Sequence, residues 1–268
     1  MVLPVRAVAT AAVAACITGA APAAWAQAFD AVRLYGAAPG TDGGTVGAAF
    51  IAGKAYPGSA KDRNLIVPVI DYQWQNGWFA GVSNGLGINL ASRPDQPFGL
   101  RLTADLGRKS SRSVALSGMG NIDAKPEIGA FFNHTFSPAL FLTSSLRYGA
   151  GNDGKGAVLD LGAGHSTALA PQWRLGLGVA ASVVNSAFMQ SYFGVSPAQA
   201  TTSGYPVYRP AAGLRDVRAN LALTYQLARR ASITGAASVG TLLGDARSSP
   251  LVRQTTSLTG LVVIGYAF

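Results

Sequence analysis

The side chains that could carry out chemistry are few and far apart. The chain has two histidines and 12 acidic residues, and His165 precedes a serine, Ser166. Adjacent residues of a strand point to opposite faces, so this pair cannot form the hydrogen bond that joins a nucleophile to its base. His134 lies between Asn133 and Thr135 and meets the same objection. A hydrolase with a pair formed across strands is left as a distant alternative.

The scattered carboxylates predict neither a metal site nor a cofactor site. Zinc and calcium sites need clustered His, Cys, Asp or Glu ligands, and no such cluster occurs in the sequence. The glycines lie within apolar segments, where they ease curvature and close packing, and none forms a phosphate loop between a strand and a helix. We therefore predict a protein that is not an enzyme.

The composition is unusual for a soluble protein. Of the 268 residues, 49% are hydrophobic, 12% are charged and 33 are glycine, whereas soluble domains carry about a quarter charged residues. So little charge excludes a disordered chain and makes an ordinary cytosolic protein doubtful. A membrane protein, a secreted all-β protein and an apolar α/β enzyme are the classes that fit. The basic residues are scattered, which argues against nucleic acid as a partner.

The first 26 residues have the features of a secretory signal peptide. Arg6 precedes a run of small apolar residues, and Ala24-Trp25-Ala26 predicts cleavage before Gln27. Two alternatives are an uncleaved anchor and lipidation of Cys16, which follows a lipobox-like Val13-Ala14-Ala15. Cleavage would leave one domain, residues 27–268, without cysteine and therefore without disulfides.

The rest of the chain alternates between apolar and small or polar residues with a period of two, which indicates β-strands. The segments are close to the 9–11 residues that a strand needs to cross a membrane. Short turns such as Asn76-Gly77 alternate with longer connections, notably 185–212, as in outer-membrane barrels. We predict a transmembrane antiparallel β-barrel of about 12 strands, and ten strands are the alternative. The twelve predicted strands are 29–37, 44–53, 64–74, 77–90, 98–108, 125–136, 139–149, 156–169, 172–184, 213–227, 230–242 and 256–268.

One uncharged segment, 175–208, could be misread as membrane helices. It contains Gly176, Gly178 and Pro197, and its first half alternates, so it does not resemble the 20 or so apolar residues of a spanning helix. Aromatic residues lie beside the predicted short turns, as the girdles of a membrane barrel would. They are Tyr72, Trp74, Trp78, Trp173 and Tyr225.

Charged residues concentrate on the face of the strands that we assign to the lumen. The basic members are Arg101, Arg147, Arg174, Arg218 and Arg230, and the acidic members are Asp71, Asp105, Asp160 and Asp216. This excess of arginine predicts either a mildly anion-favouring lumen or internal ion pairs that fill it. A barrel of 10–12 strands lies between filled and water-conducting sizes, so a narrow pore, plugged by 185–212, is one outcome.

The chain ends on an alternating segment, 257–268, whose last aromatic residues are Tyr266 and Phe268. This ending resembles the terminal signal that the barrel-assembly machinery of the outer membrane recognises. The outer-membrane lipid and that machinery are therefore expected partners.

Several loop motifs resemble the MipA/OmpV family (MltA-interacting protein). They are Tyr192-Phe193-Gly194-Val195 with the following Ser196-Pro197, Tyr56-Pro57-Gly58-Ser59, residues 65–72, residues 116–123 and Ser249-Pro250-Leu251-Val252. The chain has Phe193 where the family often has a second tyrosine. The resemblance covers about 45–268 and implies a protein of the bacterial outer membrane. It also implies a scaffold that links a murein lytic transglycosylase to a penicillin-binding protein during growth of the peptidoglycan.

Three functional hypotheses follow, in order. The first is a non-catalytic barrel that binds periplasmic peptidoglycan-remodelling enzymes, with Tyr192, Phe193, Gly194, Val195, Ser249 and Pro250 as a partner-docking motif or as residues that shape the barrel mouth. The second is a narrow, mildly anion-favouring channel. The third is an outer-membrane hydrolase that depends on His134 and His165.

Overall fold

The computed structural model describes residues 41–268, which form one closed antiparallel barrel. Each strand pairs with its neighbours in chain order, and β1 pairs with β12 from Thr45 opposite Ala267 to Ala52 opposite Gly260. The strands are β1 Gly43–Lys54, β2 Asp62–Gln73, β3 Trp78–Gly81, β4 Gly85–Asn89, β5 Phe98–Asp105, β6 Lys125–Thr135, β7 Leu140–Ala150, β8 Gly156–Ala170, β9 Trp173–Val184, β10 Gly213–Ala228, β11 Ala231–Leu242 and β12 Thr256–Ala267.

The predicted barrel of 12 strands is confirmed, but the twelfth strand arises in an unexpected place. Residues 77–90, which we predicted as one strand, are two short strands, β3 and β4, joined by a tight turn at 82–84. Gly85 has φ of +78°, a backbone conformation that glycine adopts without strain. The predicted strand 29–37 and the signal peptide 1–26 with Cys16 lie outside the described residues.

The two faces of the wall differ sharply in chemistry. Large apolar side chains point outwards at alternate positions, where the surrounding hydrocarbon needs no charge. Inward positions of β5 to β10 carry mainly small, polar or charged residues, and those of β1, β2 and β12 include a buried apolar cluster. The outward set includes Leu100, Leu102, Ile128, Phe132, Leu142, Leu146, Leu161, Leu177, Val179, Leu221, Val239, Leu258, Val262 and Ile264, all of which are exposed.

The two rims also differ. The turns at 74–77, 136–139, 171–172 and 229–230 are short, and the rim that carries them holds the aromatic contacts of a girdle. There the ring of Tyr72 lies 4.9 Å from that of Trp74 and 6.0 Å from that of Phe268, and Trp173 lies 4.6 Å from Tyr225. Short turns are on the periplasmic side of such barrels, so the opposite rim is extracellular.

The extracellular rim carries the long connections, which fold into a cap. The 185–212 connection contains helices α1 (Ser186–Phe193) and α2 (Pro197–Ser203), and the 243–255 connection contains α3 (Gly244–Arg247). Asn185 begins α1 by accepting the Phe188 N–H at 3.0 Å, and Ser196 begins α2 in a capping box with Gln199. None of the described helices is long and apolar enough to cross a membrane.

Candidate functional site: the lumen ion pairs and the loop cap

Six consecutive strands, β5 to β10, bring the lumen charges to one level. The strand registers place Thr103 opposite Glu127, Ser145 opposite Asp160, and Asp160 opposite Ser182. Because inward positions recur every second residue, these polar side chains of neighbouring strands lie side by side on the inner face of the wall. The result is a continuous network of buried ion pairs and hydrogen bonds on this side of the lumen.

Arg147 lies at the centre of the network between two carboxylates. Its Nη1 is 3.1 Å from Glu127 Oε2, and its Nη2 is 2.7 Å from Asp160 Oδ2. All three side chains are almost fully buried. Buried charges are tolerated when they are paired and hydrogen-bonded. The Arg147 guanidinium meets this condition, because each of its two Nη atoms binds one of the carboxylates.

Asp160 extends the network to β9 and β10. It accepts hydrogen bonds from the Ser182 hydroxyl and, at 3.5 Å, from Arg218 Nη2. Arg218 also binds Asp216 at 2.8 Å, and Arg215 binds the same carboxylate. Three arginines thus meet three carboxylates, and of the two outcomes predicted for the lumen, ion pairing is the one seen at this level.

The other predicted lumen charges lie outside this centre. Arg101 donates to Ser145, beside the network. Arg174 is exposed near the periplasmic rim and lies 3.5 Å from Ser166. Arg230 lies in the turn between β10 and β11 rather than on a strand. Asp71 accepts from the Ser83 hydroxyl at 2.7 Å and so ties β2 to the β3–β4 turn.

The opposite side of the lumen is apolar. Ala49, Val69, Leu261 and Val263 form a buried cluster on β1, β2 and β12, and Ile51, Val67 and Ala236 pack against it. The lumen therefore has a charged wall and an apolar wall facing each other.

The cap is anchored to the network through α1. The Tyr192 hydroxyl donates to Asp105 at the end of β5, and the Tyr192 carbonyl accepts from Arg108 Nη1 at 2.7 Å. The Arg215 guanidinium lies 5.4 Å from the centre of the Phe188 ring, a cation–π contact. Charged groups of the wall thus hold the helix over the lumen.

Burial shifts the pKa values of the anchoring groups. Desolvation, with Asp105 nearby, raises the pKa of Tyr192 far above its ordinary value. Desolvation also lowers the pKa of Arg108, to about 10. The Tyr192 phenol is therefore held in its neutral, hydrogen-bond-donating form.

The predicted loop motif lies inside the cap. Phe193, Gly194, Val195 and Ser249 are buried, and Pro250 is half-buried. The Ser249 hydroxyl donates to the Phe193 carbonyl at 2.6 Å. Val195 packs with Met119 and Leu251 and forms a β-bridge with Tyr208. A partner at this rim would meet the surface that the motif supports, since the buried side chains themselves are out of reach.

The two histidines point outwards. His165 is exposed on β8, and His134 on β6 packs edge-to-face against Phe136, with ring centres 4.3 Å apart. Among residues 41–268, neither imidazole hydrogen-bonds to a serine. Within residues 41–268, the structure therefore does not place a serine nucleophile beside either histidine.

Two members of the network were missed by the sequence analysis. Glu127 shares its parity with Gly129 and Asn133 on β6, so the alternation itself could have placed it in the lumen. Arg215 has the parity of the lipid-facing Val217, but a register shift between Leu214 and Asp216 turns it inward. No sequence pattern indicated that bulge.

Several solved structures are similar to this chain at low sequence identity. No curated protein matches the chain. Among solved structures, the NanC porin is 9% identical, with 82% of this chain and 98% of that chain covered and a TM-score of 0.46. A Pseudomonas aeruginosa FadL homologue is 11% identical, with coverage of 91% and 97% and a TM-score of 0.40. The outer membrane channel DcaP of Acinetobacter baumannii is 9% identical, with coverage of 85% and 96% and a TM-score of 0.39.

The family comparison covers most of the chain. The sequence model of the family described as MltA-interacting protein MipA matches residues 46–268, from β1 to the last residue of the chain. It includes the lumen network, the cap and the motif residues Tyr192 and Ser249. The chain therefore belongs to the MipA family, and it is a β-barrel of the bacterial outer membrane.

Proposed function

We propose that this protein is a non-catalytic scaffold that binds peptidoglycan-remodelling enzymes, a murein lytic transglycosylase and a penicillin-binding protein, at the periplasmic rim. The observation that carries the proposal is the family match over 46–268, because the family takes its name from interaction with the protein MltA. The lumen supports it, since its central charges bind one another and are buried.

The periplasmic rim offers a basic surface for such a partner. Arg229 and Arg230 form the exposed turn between β10 and β11, and Arg174 is exposed at the start of β9. Arg93 in the 90–97 connection is also exposed and pairs with Asp95 at 2.9 Å. Positive charges at an interface speed association with acidic surfaces and suppress other partners.

The test is capture of purified murein lytic transglycosylase by the protein in lipid nanodiscs. Binding should weaken at least tenfold in the double variant Arg229→Glu/Arg230→Glu. The matched control, Arg209→Glu/Arg247→Glu, reverses two exposed arginines of the extracellular cap and should bind as the wild type does. Absence of binding by the wild-type protein, together with no murein enzyme recovered from cross-linked cells, would refute the scaffold.

A second candidate is a narrow solute channel. It is favoured by the barrel size, since 12 strands lie between filled and water-conducting barrels, and by Arg101 and Arg174 on inward positions. Planar-bilayer recordings of the purified protein should then show small conductance steps. Arg174→Glu should shift the ion preference towards cations. A flat current record at all voltages would exclude this candidate.

A further inference from the structure

The barrel wall is lower between β2 and β5 than elsewhere, because the two strands between them are short. β2 has 12 residues and β5 has 8, but β3 and β4 between them have only 4 and 5. β3 pairs with β2 from Asp71 to Gln73, and the turn at 82–84 ends the hairpin there. The extracellular part of β2 therefore has no neighbour on this side among residues 41–268.

The backbone hydrogen bonds of β2 show which of its groups face this edge. The Ile70 carbonyl accepts from Val82 N–H at 3.0 Å, so the even-numbered residues of β2 direct their backbone groups towards β3. Further along, the N–H and C=O groups of Asn64 and Ile66 find no partner in the described part of the chain. Pro68, which has no N–H, occupies the same edge, as prolines in sheets do.

β5 forms the other side of the opening. It pairs with β4 from Gly99 to Leu102 only, so the backbone groups of Ala104 face the opening as well. We call this opening the β2–β5 gap. It is bounded below by the turn at 82–84, on one side by residues 62–69 and on the other by residues 103–105.

The β2–β5 gap lies at the depth of the hydrocarbon. Ile66 is six residues above Tyr72 of the periplasmic girdle. At about 3.3 Å per residue and a strand tilt of about 40°, Ile66 is about 15 Å above that girdle. The apolar band of such barrels is about 25 Å tall. Ile66 is 77% exposed, and Leu102 on the far side is exposed too.

Loops cover the extracellular end of the gap. Ala55 and Tyr56 from the β1–β2 loop pack with Leu116 from the β5–β6 loop in a buried cluster. The Tyr56 hydroxyl donates to the Leu251 carbonyl at 2.9 Å, which fixes this cover to the rest of the cap. The gap thus faces sideways, towards the lipid.

The inner surface beside the gap is suited to an acyl chain. Behind this edge of β2 lie the inward residues Leu65 and Val67, and the next inward residue, Val69, belongs to the buried apolar cluster of the lumen. Across the gap, Thr103 on β5 lies 3.4 Å from Glu127 of the charged wall. A molecule that enters from the lipid therefore meets apolar side chains on one side and polar groups on the other.

We propose that the β2–β5 gap is a lateral port that admits an acyl chain of an outer-leaflet lipid to the inner face of β2, where it lies against Leu65 and Val67. Unpaired backbone at membrane depth is tolerated where it lines a cavity, and the N–H groups of Asn64 and Ile66 have no backbone partner on this side among residues 41–268. The proposal is independent of the scaffold, because it concerns another face of the barrel.

The first test uses the wild-type protein in nanodiscs that contain phospholipid with a diazirine in the acyl chain. Photolysis and mass spectrometry should place adducts on the inward residues Leu65 and Val67 at least tenfold more often than on Ala222 and Ser238. Those two residues also point inward, behind fully paired strands. Adducts confined to lipid-facing residues would overturn the proposal.

A polar substitution tests the apolar wall. Val67→Gln should lower the adduct yield at Leu65 at least threefold, because the acyl chain loses its apolar contact. Thr234→Gln, which alters an inward residue behind a paired wall, should leave the yield unchanged. Equal yields in the wild type and in Val67→Gln would contradict the port.

Hydrogen exchange tests the gap without any substitution. The amides of Leu65 and Val67 bond to β1, whereas those of Asn64 and Ile66 face the gap. Exchange should be at least tenfold faster at Asn64 and Ile66. Slow exchange at all four would mean that a peptide strand covers the edge, and it would overturn the lipid port.

Discussion

Arg147 illustrates how a single side chain can support a charged lumen at membrane depth. Taking an ion out of water costs several kcal/mol, and its partners offset that cost only if the geometry is good. Arg147 meets this condition by bonding to Glu127 and Asp160 at once. Loss of the arginine would leave two negative charges buried beside each other. Its removal should therefore destabilise the barrel by more than the loss of two hydrogen bonds alone.

We expect Arg147→Ala to destabilise the barrel by about 3–5 kcal/mol, the usual cost of breaking a buried ion pair. Urea-induced unfolding in lipid vesicles, followed by tryptophan fluorescence, measures the change. Arg93→Ala breaks the exposed pair with Asp95 and should leave the free energy of unfolding almost unchanged, because water and salt screen such pairs. Equal effects of the two substitutions would show that the lumen pair is not structural.

Tyr192 makes the cap sensitive to alkaline pH. Its folded-state pKa is raised, so its contribution to cap stability is full below the ordinary value of about 10 and is lost as the pH rises towards the folded-state pKa. Hydrogen exchange in 185–212 should accelerate above pH 10. The lowered pKa of Arg108 acts in the opposite direction.

The substitution Tyr192→Phe isolates the tyrosine, because Arg108 is present in both proteins. The cap of the variant should open more readily at pH 8, because the hydrogen bond to Asp105 is lost. Position 192 should add nothing to the rate of hydrogen exchange at high pH, because phenylalanine does not titrate. A variant with the same pH profile as the wild type would show that another group titrates.

At the level of elements, alternation predicted most of the strands but not the β3–β4 hairpin. Ala80 pairs with Leu86, so even-numbered residues point outwards in both strands and the apolar pattern runs through the turn unbroken. The dipeptide Asn84-Gly85 was the available signal, because it favours a tight hairpin turn. The β2–β5 gap depends on this hairpin, so it could not be predicted from the alternation pattern.

The candidate site was predictable only in part, for a similar reason. Strand parity placed Arg147, Arg218, Asp160 and Asp216 on one face, and in the structure these residues belong to one network of ion pairs. Which of them would touch depends on the stagger between strands, and parity carries no information on stagger. The contact between Tyr192 and Asp105 joins residues that are 87 positions apart in sequence, and helix α1 of the 185–212 connection brings them together.

Helix α1 depends on Asn185, the residue that caps its N-terminus. The Asn185 side chain accepts from the Phe188 and Ala157 amides and donates to the Lys155 carbonyl. Asn185→Ala should destabilise the 185–193 segment by about 1–2 kcal/mol, seen as faster hydrogen exchange there. Ser196→Ala removes the cap of α2 and should affect 197–203 instead. Unchanged exchange in α1 would contradict this role.

For the whole molecule, the low charge content reflects a division between surfaces. The lipid-facing side is Leu, Val, Ile and aromatic residues, and the charges lie in the lumen, the cap and the rims. A soluble protein must cover its outside with polar groups, whereas this one has hydrocarbon around its widest surface. A content of 12% charged residues is therefore sufficient for the lumen, the cap and the rims.

We propose that Tyr266 and Phe268 direct assembly of the barrel by the outer-membrane machinery. Tyr266→Ala/Phe268→Ala should lower the folded fraction in outer membranes severalfold, measured as the band that migrates differently before and after boiling. Leu258→Ala, at the other end of the same lipid-facing row, is the control and should assemble normally. Normal assembly of the double variant would refute this role.

The pairing of β1 with β12 has a consequence for biosynthesis. Gly44 exchanges both of its backbone hydrogen bonds with Phe268, the last residue of the chain. The ring closes only when β12 has paired with β1, so a chain that stops before residue 256 would present two bare edges to the lipid. A polypeptide that still lacks β12 during its synthesis therefore cannot form the sealed wall.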